Sequence, residues 1–147
     1  MRKLSVAVVA LSSLALTGCA TLFGGGSSQT VNLIPSDGKP HTVSVQSKGR
    51  SDFDIDIPKA IPVNRNSKPI TIIVKDSKDG EIPPTTIKPK LNPAFAGNIL
   101  PLGLACFLSS SVDWASGAAW KYDENATVNV TKEAAEAAAA AEKAEKA

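Results

Sequence analysis

The N-terminal segment carries the pattern that most limits what the rest of the chain can fold into. Arg2 and Lys3 give a positively charged start, and an uncharged, mostly apolar run of 13 residues follows over 4–16. That length suits the apolar part of a secretory signal peptide, about 7–15 residues, and falls short of the roughly 17–25 residues of a membrane-spanning helix. A short buried helix and a retained membrane anchor are the alternatives. We expect residues 1–18 to be removed, which leaves 129 of the 147 residues for one small domain with tails.

The motif Leu16-Thr17-Gly18-Cys19 closes the apolar run. Thr17 and Gly18 are the small residues that a signal peptidase needs beside the cleaved bond. The motif resembles the lipobox of bacterial lipoproteins. That resemblance implies cleavage between Gly18 and Cys19, a diacylglyceryl thioether on the Cys19 sulfur, and N-acylation with a fatty acid such as palmitate. Ala20 in place of aspartate implies, by the same resemblance, an outer-membrane lipoprotein at the periplasmic face or the cell surface.

Charge and cysteine content narrow the classes of function. Arg2 and Lys3 account for the whole net charge of +2, so the mature chain balances 14 basic against 14 acidic side chains. We therefore expect no nucleic-acid partner, because there is no net positive field to attract phosphates. With Cys19 acylated, Cys106 lacks a partner for an internal disulfide. Its apolar neighbours indicate a buried, inert thiol, and a reactive or intermolecular cysteine is the alternative.

The segment that follows the cysteine is rich in glycine and serine, with the run GGGSS over 24–28. Such a composition is typical of a flexible tether. A phosphate-binding loop would need a following Gly-Lys-Ser/Thr and the start of a helix, and the sequence has neither. We therefore expect residues 19–30 to form a lipidated, flexible tether.

Residues 31–91 have the composition of short β-strands. Polar and apolar side chains alternate in some stretches, as in strands with one buried face, and β-branched residues dominate others. The stretches are 31–33, 42–46, 53–57, 70–74 and 85–88, separated by turn sequences and prolines. The fourth is the most β-prone and predicts a central strand, and Pro58 is expected to end the third. The pattern predicts a mostly-β fold, a small antiparallel β-sandwich or barrel-like domain over 31–131.

An uncharged stretch between Lys90 and Asp113 interrupts this pattern. It is long enough to span a membrane, but prolines and glycines at its front and serines at its end leave only a short, dense apolar part. We expect an apolar helical or loop insertion over 91–112 that packs on the sheet. A segment that dips into lipid beside the anchor and a transmembrane helix are the alternatives. Two further stretches, 118–122 and 126–131, predict a final β-hairpin.

The chain continues over 132–147 as an Ala/Glu/Lys sequence. These are strong helix formers, and Lys132 and Glu136, like Glu142 and Lys146, lie four residues apart on one helical face. Without a leucine or isoleucine stripe, the segment predicts a charged, Ala-rich helical tail that is solvated and semi-rigid. A spacer or a contact to cell-wall polymer is the functional alternative.

A second resemblance covers the region from Pro93 to Tyr122. A motif written roughly GN…GG…D…TGA…Y is matched at Gly97, Asn98, Gly103, Asp113, Ser116, Gly117, Ala118 and Trp120 or Tyr122. The region resembles a segment of small uncharacterised bacterial lipoproteins in which a PEGA-like β domain precedes a glycine-rich apolar stretch. The resemblance implies a non-catalytic surface or adhesion module. The chain departs from the motif at Pro101-Leu102, where glycine is usual, and at Ser116, where threonine is usual.

Few residues are suited to catalysis or metal binding. His41 is the only histidine, and no serine lies in a Gly-x-Ser-x-Gly context. We expect His41 to be an exposed polar residue. Asp52, Asp54 and Asp56 have a spacing like that of calcium ligands, but the apolar residues between them place them on one face of a strand. We therefore expect no catalytic residue, no metal and no cofactor; a weak calcium site and a hydrolase that uses His41 are the alternatives.

The sequence thus predicts a lipid-anchored, non-catalytic protein of the outer membrane with a structural or interaction role in the cell envelope. The expected partners are membrane lipid, through the anchor, and an envelope protein or peptidoglycan. Aromatic side chains often anchor interfaces, and the candidate contact residues are Phe95, Phe107, Trp114, Trp120 and Tyr122. The alternative hypothesis is a peptidoglycan- or glycan-binding lipoprotein that stacks its tryptophans on sugar rings and uses the helical tail.

Overall fold

The computed structural model of the protein describes residues 25–48, 50–77, 80–96, 111 and 113–145. Within these residues the strands are β1 (Ser28–Pro35), β2 (His41–Ser47), β3 (Arg50–Ile57), β4 (Lys59–Asn64), β5 (Ile70–Val74), β6 (Thr85–Ile87), β7 (Lys90–Leu91), β8 (Trp120–Lys121) and β9 (Asn125–Val128). The helices are α1 (Pro93–Ala96) and α2 (Lys132–Glu145), and residues 113–116 form a further helical turn. The prediction of a mostly-β fold with a C-terminal helix is confirmed.

Several sequence predictions concern residues outside these ranges. Gly18 and Cys19 lie outside the described residues, as do Cys106 and Phe107. Most of the predicted insertion over 91–112 lies outside them too. Within the described part of the chain, no helix combines the length and apolar character that crossing a bilayer requires.

The chain folds into two compact units. The sheet unit comprises the described residues of Thr30–Val63, Lys68–Lys88 and Tyr122–Ala147. The aromatic unit comprises the described residues of Met1–Gln29, Asn64–Ser67 and Pro89–Lys121.

The sheet unit is built on two β-sheets that share one core. One sheet has the strand order β4-β1-β9, with β1 and β9 parallel, and the other has the order β3-β2-β5-β6, with antiparallel neighbours. Both sheets contribute to one apolar cluster, formed by Val31, Leu33, Val43, Val45, Ile57, Ile61, Val63, Ile70, Ile72, Ile87, Tyr122, Ala126, Val128 and Val130. Burying each large side chain of this kind contributes about 1.5–3 kcal/mol. Two sheets over a common core are the predicted β-sandwich.

The alternating stretches form strands as predicted. In β1 the side chains of Val31 and Leu33 are fully buried, whereas Ile34 is 44% exposed. β5 lies between β2 and β6, so the prediction of a central strand over 70–74 is confirmed. β3 ends at Ile57, immediately before Pro58.

The predicted final hairpin is wrong. β8 pairs antiparallel with β7 of the aromatic unit, with Leu91 opposite Trp120, and β9 pairs parallel with β1, with Leu33 opposite Ala126. Period-two alternation indicates that a segment is a strand, but it carries no information on which strand pairs with it. The short loop between the two stretches suggested a hairpin because sequence neighbours often pair, and here each strand pairs with one far away in the chain.

The sequence analysis also missed β4, which begins directly after Pro58 and contains Pro62. A proline cannot donate a ladder hydrogen bond, and is therefore tolerated only at the edge of a sheet. β4 is the edge strand of the order β4-β1-β9, and Pro62 is exposed there.

The C-terminal helix α2 makes contacts that its composition did not predict. Its first turn is capped by Thr131, whose Oγ1 accepts a hydrogen bond of 3.3 Å from the Ala134 N–H. Ala135 is 7% exposed, and Glu142 forms an ion pair with Lys88, just after β6. Alanine can be buried in this way without a leucine stripe because its small side chain permits close approach, while most of the helix stays exposed as expected.

The adjacent residues Leu33 and Ile34 provide a matched test of the core. Leu33→Ala is expected to reduce the free energy of unfolding by about 2–5 kcal/mol, because it leaves a cavity where two sheets meet. Ile34→Ala is expected to change it by less than about 1 kcal/mol, since that side chain is largely exposed. Urea unfolding followed by circular dichroism measures both. Equal losses for the two variants would contradict the assignment of the buried face.

Candidate aromatic interaction surface

Three aromatic side chains of the aromatic unit form a cluster. The ring centroids of Phe95 and Trp114 are 6.3 Å apart at an interplanar angle of 52°. Those of Trp114 and Trp120 are 5.2 Å apart at 60°, an edge-to-face arrangement. Aromatic pairs in such geometries contribute about 0.5–1.5 kcal/mol each beyond the area they bury. The three rings come from α1, the helical turn 113–116 and β8, so the cluster joins three elements that are separate in the sequence.

The cluster is open to solvent on one side. Trp114 is 56% exposed, and Phe95 and Trp120 are half-buried. Leu91 is 59% exposed and lies directly opposite Trp120 in the β7–β8 ladder, so both side chains are on the same face. We call these four residues the aromatic surface. Exposed apolar side chains that lie next to one another are typical of an interaction site, whereas isolated ones need no explanation.

Tyr122 does not belong to the aromatic surface. It lies in the core of the sheet unit at 1% exposure, and its Oη donates a hydrogen bond of 2.6 Å to the Lys68 carbonyl oxygen. Strand alternation would have placed Tyr122 on the same face as Trp120, but β8 ends at Lys121. Of the candidate contact residues in the described chain, the structure therefore brings together Phe95, Trp114 and Trp120 only.

Gly117 makes the turn that joins the two tryptophans. Its N–H donates to the Trp114 carbonyl at 3.4 Å, and its own carbonyl accepts from the Trp120 N–H at 3.0 Å. Its φ of +86° lies in the left-handed region that favours glycine, and a Cβ at this position would overlap the backbone carbonyl of Arg65. Two separate constraints thus require glycine at a position that the motif resemblance singled out.

The backbone around this turn is fixed by buried polar contacts. Asn92, which is 4% exposed, donates from its side chain to the Ala118 carbonyl at 3.0 Å and from its backbone N–H to the Ala119 carbonyl at 2.8 Å. The Ala119 N–H in turn donates to the Asp113 carbonyl at 3.0 Å. Both alanines are fully buried, so the tryptophans project from a rigid support rather than from a loose loop.

Arg65 is the residue that sequence reasoning missed entirely, since it belongs to no motif. It is 7% exposed, and its guanidinium donates to the Gly26 carbonyl at 2.9 Å and to Gln29 Oε1 at 3.2 Å. Its backbone N–H donates to the Ser27 carbonyl at 2.8 Å. Burial lowers the pKa of Arg65 below its usual value, yet a guanidinium stays charged at any physiological pH. Arg65 therefore fixes the chain from Gly26 to Gln29, within the range that the sequence assigned to the tether.

His41 is held between two carboxylates. Its Nε2 lies 3.1 Å from Asp37 Oδ2, its Nδ1 lies 3.3 Å from Asp76 Oδ1, and its side chain is 17% exposed. The hydrogen bond to Asp37 is the main cause that raises the pKa of His41. The pKa of Asp37 is lowered, chiefly by the backbone N–H of Lys39 and then by His41. Because both ring nitrogens face carboxylates, the geometry favours a protonated imidazolium that connects two loops. A serine hydrolase would instead need a neutral imidazole with one nitrogen free to take the serine proton.

The three aspartates of β3 form a polar ladder on the outer face of their sheet. Asp56 Oδ1 accepts a hydrogen bond of 2.7 Å from Thr42, and Asp52 Oδ2 accepts one of 2.9 Å from Gln46. Asp54 Oδ2 lies 2.7 Å from Lys75 Nζ, and this contact is the main cause that lowers the pKa of Asp54. The aspartates thus point outward as predicted and pair across the strands. No group of three His, Cys, Asp or Glu side chains in the described ranges is arranged to hold a metal ion.

Comparison of the chain with family models, with curated proteins and with solved structures finds no match. The resemblances to lipoproteins and to PEGA-like domains therefore stay predictions that depend on the motifs themselves.

The contact of His41 with two carboxylates makes stability depend on pH. The pKa of His41 is raised in the folded state. The stabilisation from its contacts is therefore fully present below the unfolded pKa of about 6.5, and it is lost as the pH rises through the folded pKa. His41→Gln is therefore expected to cost more unfolding free energy at roughly pH 5 than at roughly pH 9. Asp37 stays ionised over this range because its pKa is lowered from an ordinary carboxyl value that already lies below this range. Urea midpoints at both pH values measure the effect.

The control for His41 is Lys75→Gln. It removes an ion pair in which the pKa of the Asp54 carboxyl is lowered, so its effect should not change between the two pH values. A pH-independent cost of His41→Gln would contradict an imidazolium at this position.

Gly117→Ala is expected to destabilise the aromatic unit more than Gly38→Ala destabilises the sheet unit. Both glycines have positive φ, but a Cβ at Gly38 meets no atom within 4 Å. Gly38→Ala should reduce the free energy of unfolding by about 1–2 kcal/mol, because alanine is strained at positive φ. Gly117→Ala should reduce it by roughly twice that or more, because the backbone carbonyl of Arg65 also has to move. Urea unfolding followed by emission of the two tryptophans measures the aromatic unit. Equal losses of unfolding free energy in the two variants would show that the close approach of Arg65 and Gly117 does not affect stability.

Proposed function

We propose that the protein is a lipid-anchored, non-catalytic protein of the bacterial outer membrane that acts in the cell envelope by binding through its aromatic surface. The observation that carries the interaction role is the exposed cluster around Trp114, at 56% exposure, on a backbone fixed by Asn92 and Gly117. A rigid support reduces the conformational entropy that is lost when such a surface binds a partner.

The proposed anchoring depends on the N-terminal sequence. A charged start, an apolar run of signal-peptide length and the Leu16–Cys19 motif supply the three parts that processing and lipidation need. The first fixed residues of the described chain, Gly26 to Gln29, follow the cysteine closely. A folded body therefore begins within a few residues of the proposed lipid attachment, as a surface-tethered protein requires.

The proposed non-catalytic role is supported by the contacts that occupy His41 and the aspartates of β3. His41 is engaged by two carboxylates, and the aspartates of β3 accept hydrogen bonds from β2. These contacts stabilise the sheet unit. Neither arrangement offers a nucleophile next to a general base, the combination that hydrolysis of esters or peptides commonly uses.

Peptidoglycan or glycan binding is the second candidate function. It is favoured by the 56% exposure of Trp114, since tryptophan rings offer a flat apolar surface on which a sugar ring can stack. This function would use the same aromatic surface with a different partner.

The test of anchoring is the substitution Cys19→Ala, with Cys106→Ala as the matched control. Cells fed an alkyne analogue of palmitate should label the wild type and Cys106→Ala in the outer-membrane fraction. Cys19→Ala should lose the label and its membrane retention, because no second chain or acyl group replaces the anchor. Mass spectrometry should find the mature N-terminus at an acylated Cys19. Label that persists on Cys19→Ala, or a wild type with an intact leader, would overturn the proposal.

A further inference from the structure

The described start of the chain and the turn that carries the tryptophans contact the same residue, Arg65. The Arg65 guanidinium binds the Gly26 carbonyl at 2.9 Å, where the N-terminal segment joins the fold. The backbone carbonyl of the same residue lies against Gly117, which makes the turn between Trp114 and Trp120. The side chain of Arg65 thus holds the described start of the chain, and its backbone lies against the turn that presents the tryptophans.

The tether is short. Six residue steps separate Cys19 from Gly25, the residue before Gly26, which Arg65 binds. At about 3.3–3.6 Å per residue, even a fully extended chain spans only about 20 Å. With the cysteine sulfur bonded to membrane lipid, the part of the aromatic unit around Gly26 and Arg65 has to stay within about that distance of the lipid surface.

The charges of the aromatic unit suit a membrane surface. After removal of the signal peptide, its ranges contain one acidic residue, Asp113, and three basic residues, of which Arg65 is buried and Lys90 and Lys121 are exposed or partly exposed. Asp113 is fully buried, so no exposed carboxylate repels phosphate groups. The sheet unit, in contrast, has 11 basic and 13 acidic residues. The mature chain is neutral as a whole, but its basic and acidic residues are unevenly divided: basic residues are in excess in the ranges of the aromatic unit and acidic residues in those of the sheet unit.

We propose that the aromatic surface docks on the same bilayer that holds the acyl anchor, as a second, non-covalent contact with lipid. Tryptophan is enriched where a membrane meets water, because its ring is apolar and its N–H can face the headgroups. Basic side chains near a membrane surface attract anionic headgroups, and Lys90 and Lys121 belong to the same short ladder as Leu91 and Trp120, on its other face. This inference rests on the proposed lipidation of Cys19 and names the partner of the aromatic surface.

The chain is suited to a direct test because its two tryptophans are both in the aromatic surface. Acylated full-length protein is placed on vesicles of phosphatidylethanolamine and phosphatidylglycerol, and tryptophan emission is recorded with and without brominated lipid. Docking should shift the emission to shorter wavelength, and brominated lipid should quench it. Without phosphatidylglycerol the quenching should weaken, as electrostatic attraction to the headgroups is lost.

A matched pair of variants locates the contact. Leu91→Ser removes the most exposed apolar side chain of the aromatic surface and keeps both fluorophores, and it should reduce the ratio of docked to undocked protein about tenfold. Ile34→Ser removes a comparably exposed side chain, 44% against 59%, from the sheet unit and should leave the quenching unchanged. Equal effects of the two substitutions would contradict docking through this surface.

The outcomes separate this inference from the proposed function. Protein that stays on the vesicles with unquenched, unshifted tryptophans would overturn the docking and leave the anchoring intact. Protein that carries no acyl group and leaves the vesicles would overturn the anchoring itself. Tryptophan emission that responds to purified peptidoglycan sacculi and not to brominated lipid would refute lipid as the partner and support glycan binding.

Discussion

The first strand is the element on which the rest of the described structure depends. Its buried side chains Val31 and Leu33 lie in the core between two sheets. On one side it pairs with β4 and on the other with β9, which is parallel to it. Arg65 fixes the start of this strand, through the carbonyl of Ser27 just before it and the side chain of Gln29 within it. A slip of β1 by one residue would move its buried side chains to the opposite face, so its register is determined by the core.

Burying Arg65 carries a substantial cost, which its contacts have to offset. A charged group at 7% exposure loses hydration, and a guanidinium regains it only when several donors find acceptors. The carbonyl of Gly26 and Oε1 of Gln29 lie at the distances and directions that the rigid fork of arginine offers. A lysine carries the same charge, but it lacks the planar guanidinium that donates to two acceptors at once. This contact is therefore better explained as a positioning device than as a source of stability, since a hydrophobic residue could fill the same volume at lower cost.

Sequence patterns predicted what is local in this fold and missed what is distant. Alternation in β1, β2 and β3, the β-branched run of β5, the boundary at Pro58 and the helix over 132–145 all follow from residues within a few positions of one another. The pairing of β9 with β1 and of β8 with β7 joins segments far apart in sequence, which no local pattern encodes.

The candidate site was predicted only in part. Trp114 and Trp120 were recognised as aromatic, yet only the turn at Gly117 brings them together. Tyr122, only two positions beyond Trp120, is buried because β8 ends between them, and the roles of Arg65 and His41 depend on partners from other segments.

An anchored protein needs very little affinity from a second membrane contact. In the proposed lipid-anchored form, the acyl chains on Cys19 prevent escape from the membrane, so docking of the aromatic surface competes only with its own undocked state and not with dilution into solution. Within a tether of about 20 Å the effective concentration of the surface at the bilayer is in the millimolar range, and even a weak intrinsic affinity then gives substantial docking. Four partly exposed side chains, too few for a stable complex between free molecules, are enough in this setting. What they add is orientation, because a covalent anchor limits the distance from the membrane and leaves the direction of the folded body undetermined.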